Sequence, residues 1–176
     1  MQDALKEYGV RVEAPFTVTK DQHLNGESKK QHVIEAEGSG HEHYEIKIIS
    51  PLDANAAKAL SESEAAGLSK LFAAAQTPYM GDIAQAIGGC PHQFGPLHRK
   101  VKVLGFEADA LLGGANEKLG FGACSAALAK FKAAFITYYD PATKSLWAWR
   151  IYSPWTDPKS PLKSEWLNPL LDRFQK

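Results

Sequence analysis

Apolar and polar positions alternate over residues 10–14, with Val10, Val12 and Ala14 set against Arg11 and Glu13. That period of two predicts a half-buried strand, preceded by a short helical lead-in over 3–8 and limited by Pro15. The stretch 21–30 is polar, and its Asn25-Gly26 reads as a turn. Residues 31–37, carrying Val33 and Ile34, predict a second strand, and 43–49 a third, joined through Gly38-Ser39-Gly40 as a hairpin. In the third strand Tyr44, Ile46 and Ile48 point one way and His43, Glu45 and Lys47 the other.

From Asp53 the period lengthens. Residues 53–75 are rich in Ala, Leu, Lys and Glu, and Leu68, Leu71, Phe72 and Ala75 recur at helical spacing behind a Ser61-x-x-Glu64 capping-box pattern. Thr77-Pro78 stops this helix, and 79–87 supplies further helical turns that end at Gly88-Gly89. An irregular loop over 90–96 leads to a strand over 98–104, with Val101 and Val103 on one face. Short helices are expected over 108–112 and 125–132, around a glycine-rich stretch at 113–122. The strongest local signal comes next. Residues 133–139 and 145–152 are aromatic and β-branched, and Asp140-Pro141-Ala142-Thr143-Lys144 between them is turn chemistry, which predicts a β-hairpin. Pro154, Pro158, Pro161 and Pro169 mark 153–176 as a tail that wraps the surface, with a short helix near 169–174. No repeat divides the chain. The expected fold is a single α+β domain over 1–176, an antiparallel sheet of N-terminal strands and the C-terminal aromatic hairpin packed on central helices.

Composition narrows the function. With 20 Lys plus Arg against 20 Asp plus Glu among 176 residues, the chain lacks the basic excess of a nucleic-acid binder. No apolar run reaches the roughly 18 residues of a membrane span. The opening MQDALKEYG has neither the basic nor the apolar region of a signal peptide. Either the protein is cytoplasmic, or an added methionine precedes a mature exported chain.

Cys90 and Cys124 bear on that choice. Each lies beside glycine, and a bond between them would close a loop of about 35 residues, worth roughly 3–4 kcal/mol by chain entropy. The alternative is two unrelated reduced thiols. A Cys90–Cys124 disulfide is the expectation here, and with it a periplasmic or secreted bacterial protein.

Three groups of residues carry candidate chemistry. His41 and His43 share a strand face with Glu45, and His32 on the preceding strand is placed to oppose them, a set suited to zinc, copper or nickel. The plainer reading is a solvated strand face, with no metal or cofactor. Cys124 follows a glycine-rich turn and opens a predicted helix, where the helix dipole favours a thiolate, with His92 or His98 as general base. The order departs from papain-like thiol hydrolases, because no histidine follows Cys124, and from L,D-transpeptidases, because Ala123 replaces the glycine directly before the cysteine. Neither a Gly-x-Ser-x-Gly elbow nor a P-loop occurs.

The third group is aromatic. Tyr138, Trp147, Trp149, Arg150, Tyr152 and Trp155 crowd the hairpin and its exit, residue types favoured where proteins bind partners or small ligands. The leading expectation is therefore an exported, non-catalytic recognition domain for a protein partner or small ligand, inhibitor- or immunity-like. Thiol hydrolysis by Cys124 is the competing one.

Overall fold

The computed structural model describes residues 1–74, 97–115, 131–154 and 165–176. Its first half contains helix α1 (Gln2–Lys6), strands β1 (Arg11–Val12), β2 (Phe16–Asn25), β3 (Lys30–Gly38) and β4 (His43–Ser50), and helix α2 (Ala54–Ala74). Four strands follow, β5 (Leu97–Val103), β6 (Phe106–Ala115), β7 (Phe131–Asp140) and β8 (Ser145–Pro154), then the short helix α3 (Asn168–Leu171) and β9 (Phe174–Gln175). The seven long strands make one sheet in the order β2-β3-β4-β8-β7-β6-β5, with every neighbouring pair antiparallel. Two meanders, β2–β4 and β5–β8, therefore meet along the β4–β8 seam, where Tyr44 pairs with Ile151 and Ile46 with Trp149.

Local chemistry explains most of these elements. The expected helix over 53–75 forms because its side chains favour it, and it starts one residue later than the composition suggested. Asp53 caps it, its Oδ1 accepting the Ala56 N–H at 2.8 Å. Ser61, the capping-box candidate, lies inside the helix and hydrogen-bonds the Thr137 hydroxyl on β7 instead. The expected aromatic hairpin is β7–β8, paired from Ala133 opposite Tyr152 to Asp140 opposite Ser145.

Two expectations are corrected. Residues 108–112 are strand, not helix: Ala108, Ala110 and Leu112 point to one face of β6, which pairs with β5 on one side and β7 on the other. Pairing on both edges outweighs the helix preference of Ala and Leu. The polar stretch from Asp21 is the outer half of edge strand β2, whose register shifts between Val18 and Lys20. A bulge and charged side chains are common on an exposed edge, where they discourage pairing with another chain. The expected strand beginning at 98 is present as β5, while the helix expected over 79–87 and most of that expected over 125–132 fall outside the described residues, and residues 131–132 are strand β7 rather than helix.

Each face of the sheet buries a different cover. On one, Ile46, Trp147, Trp149 and Ile151 pack beneath Leu5 and Val10 from the start of the chain and beneath Leu167, Leu170, Leu171 and Phe174 from its last described stretch. These two covers are themselves joined, β1 pairing with β9 and the Glu13 N–H donating to the Arg173 carbonyl at 2.8 Å. On the other face α2 lies against Ile49 and Leu146 through Ala57 and Leu60, and against Phe135 and Ala148 through Ala65.

An ion pair between half-buried Arg173 and buried Glu42 fastens the last stretch to the β3–β4 turn. Arg173 donates to Glu42 Oε1 at 3.1 Å and to the Tyr44 hydroxyl at 3.3 Å, and the Gly40 N–H donates to Glu42 Oε2 at 2.9 Å. Gly38 and Gly40 leave room for that carboxylate, which a Cβ at either position would strike. Burial opposes the charge on Glu42, but the bonds from Arg173 and Gly40 outweigh it and hold the carboxyl below its ordinary range. A second tie, Lys176 to Asp140 at 3.0 Å, works in the same way at the β7–β8 turn.

Candidate functional site

Along one flank of α2 the helix and the sheet do not close. The gap is formed by Ser61, Glu62 and Ala65 from α2, His98 and Lys100 from β5, Asp109 and Leu111 from β6, and Phe135 and Thr137 from β7, around a cavity of about 380 Å³. It adjoins a second cavity of about 320 Å³ that shares Ser61, Glu62, Asp109 and Thr137 and runs toward Ala54. The strand period sets this lining. His98 opposes Leu111 and Lys100 opposes Asp109, so these four side chains stand on the α2 side of the sheet. The floor, Leu111 and Phe135, is buried and apolar. Above it sit the hydrogen-bonded hydroxyls of Ser61 and Thr137, with Thr137 itself buried. At the mouth Lys100 contacts Asp109 at 2.6 Å, and that bond raises the exposed ammonium's pKa above the ordinary range.

The aromatic residues named as candidates for binding a partner or ligand are divided by the strand period. Tyr138, Trp147 and Trp149 are 6%, 3% and 0% exposed. They are core. Tyr138 and Trp147 stack at 5.7 Å, Trp147 and Trp149 at 6.2 Å, and Phe174 stands edge-on to Trp149 at 4.9 Å. The cover over this face comes from residues 1–10 and 165–176, far from the hairpin in the chain. Arg150 and Tyr152 lie on the opposite face, half-buried. Arg150 bridges Glu45 and Glu64 at 3.5 Å each and lies over the Phe135 ring. Trp155 lies outside the described residues.

The histidines are redistributed in the same manner. His43 opposes Glu37 and bonds it through Nδ1 at 3.0 Å, on the α2 side of the sheet. His41 sits in the β3–β4 turn at a φ of 62°, exposed. His32 opposes Ile48 and faces the other side, so the expected His32, His41 and His43 set is not assembled. Instead His32 is buried beside side chains that the sequence reading missed. Tyr8 meets its Nδ1 at 2.9 Å, Asp21 meets its Nε2 at 2.7 Å, and the His23 ring stacks on it at 3.8 Å between centroids. Burial, with the Glu7 and Asp21 carboxylates near, pushes the Tyr8 hydroxyl well above its ordinary range, so it remains a neutral donor. The β2–β3 register, centred between residues 27 and 28, sets His23 opposite His32, whereas pairing about Asn25-Gly26 would set it opposite Ser28.

Cys90, Cys124 and His92 lie outside the described residues, whereas His98 is exposed at the rim of the α2 groove. Among the described residues no helix is long and apolar enough to cross a membrane. Comparison with family models, curated proteins and solved structures finds no match to the chain.

Proposed function

We propose that this chain is an exported recognition domain that takes a small, partly apolar ligand into the groove beside α2. What supports the reading is the groove itself, two adjoining cavities of about 380 and 320 Å³ with an apolar floor and a few polar groups above it. Ligand sites commonly have such volumes and such a lining. The β7–β8 hairpin then acts as scaffold, and the contacts come from Ser61, His98 and Thr137. The test is an NMR titration of the full chain with a fragment library. Binding should move the resonances of Ser61, Ala65, His98 and Thr137, and Ala65→Trp, which fills the groove from the helix side, should abolish it. Fragments that bind A65W as tightly as the unaltered chain would sink the reading.

One observation favours thiol hydrolysis as a second reading: His98 stands at the groove rim. If Cys124 is a nucleophile served by His98, its alkylation by iodoacetamide at pH 6 should be fast, and His98→Ala should slow it. Equal rates in the two proteins leave His98 without that role.

A further inference from the structure

His32 has a carboxylate at each ring nitrogen. Asp21 Oδ1 lies 2.7 Å from Nε2, which places the proton of a neutral ring there. The Nδ1 lone pair then faces the Tyr8 hydroxyl at 2.9 Å and Glu7 Oε1 at 3.2 Å. The Tyr8 hydroxyl has one proton to give and both the lone pair and the carboxylate within reach, so one of the two acceptors is left facing the other unless a positive charge lies between them or on the ring. The same Glu7 oxygen is 3.6 Å from His23 Nε2, and one donor atom from each of Glu7, His23 and His32 lies within 4.8 Å of the others.

Two of these spacings, 3.2 and 3.6 Å from Glu7 Oε1, lie near the edge length of a coordination tetrahedron. A tetrahedral ion with bonds of about 2.0–2.2 Å sets its ligand atoms roughly 3.3–3.6 Å apart. We propose that His32 Nδ1, His23 Nε2 and Glu7 Oε1 bind one divalent transition metal of the zinc class. Two imidazoles and one carboxylate suit such an ion better than calcium or magnesium, which take oxygen ligands. Asp21 serves as the carboxylate that orients a ligating histidine from behind. Buried His32 on β3 is the fixed anchor. The other two ligands are adjustable: the side chains of Glu7, just past α1, and His23, on edge strand β2, are 53% and 58% exposed. His23 now lies stacked on His32, and it must swing out of the stack to aim Nε2 at the ion. The fourth position opens to solvent and takes water, as in three-ligand zinc sites.

A competing arrangement uses the same distances without metal: His32 as an imidazolium held between Asp21 and Glu7. Calorimetric titration of the tag-free, chelator-treated full chain with Zn²⁺ at pH 7.5 separates the two. The thiols are blocked beforehand so that Cys90 and Cys124 do not compete. One equivalent should bind, and Co²⁺ should give the intense visible absorption of a four-coordinate ion. His23→Ala and Glu7→Gln, both at exposed positions that the fold tolerates, should each weaken binding at least 10-fold. Asp21→Asn should weaken it about 10–100-fold with the stoichiometry kept. His43→Ala should bind as the unaltered chain does. Absence of heat in the unaltered chain, unchanged affinity in H23A and E7Q, or loss of binding in H43A overturns the proposal.

Discussion

Replacing Glu42 with Gln removes one charge from a buried cluster while keeping its shape. The carboxylate accepts one bond from Arg173 at 3.1 Å and one from the Gly40 N–H at 2.9 Å. An amide has a single acceptor oxygen, so in either orientation its NH₂ faces one of those two donors. A hydrogen bond to a charged group contributes about 1.5–3 kcal/mol, and a buried donor left without a partner costs about 1–3 kcal/mol. Because the Arg173 side chain retains some solvent, at 23% exposure, the lower part of the combined range applies, about 3 kcal/mol. For a chain of this length that lowers Tm by roughly 6–12 °C. Chemical denaturation of both proteins at pH 7 measures the loss. Its pH dependence tests the cause. The Glu42 carboxyl is held below its ordinary value of 4.5, so the stabilisation is complete above that value and fades as pH falls through the depressed one. The two proteins should therefore converge in acid. A loss under about 1 kcal/mol at pH 7, or a gap that persists undiminished to pH 3, refutes the reasoning.

Other outcomes follow from the same structure. Phe174→Ala removes a buried ring that touches Phe16, Tyr44 and Trp149, and should cost about 3–5 kcal/mol with a red shift of tryptophan emission. Unchanged emission would mean that the last stretch does not shield Trp149. Thiol titration in denaturant without reductant should find no free thiol if Cys90 and Cys124 are bonded, and two if they are not. The second count removes the main argument for export.

What the sequence made legible is what local periodicity can carry. Strand β4 alternates in burial and helix α2 lays one side on the sheet, so their apolar positions repeat at two and at about three and a half residues, whereas the β7–β8 hairpin, buried on both faces, is marked by its aromatic and β-branched composition and its turn residues. Strand β2 buries almost nothing and offers no alternation to read. In β6 the run Ala-Asp-Ala-Leu-Leu is helical by composition and is made a strand by its two neighbours. The histidine set and the aromatic group are divided for a related reason. Placing His32 apart from His41 and His43 needs the β3–β4 register, and burying Trp147 and Trp149 needs residues 1–10 and 165–176, information held far from either motif.

The double cover of the first sheet face has a consequence for how the protein is made. Strand β4 waits for β8, its partner along the seam, and the face that holds Trp149 stays open until residues 165–176 have left the ribosome. At ordinary translation rates of about 5–20 residues per second, that interval is on the order of 10 s. For that time the first meander presents Ile34, Ile46 and Ile48 to water, along with an unpaired strand edge on β4. Synthesis thus sets a window in which a chaperone, or a second nascent chain, meets a surface that the finished protein conceals.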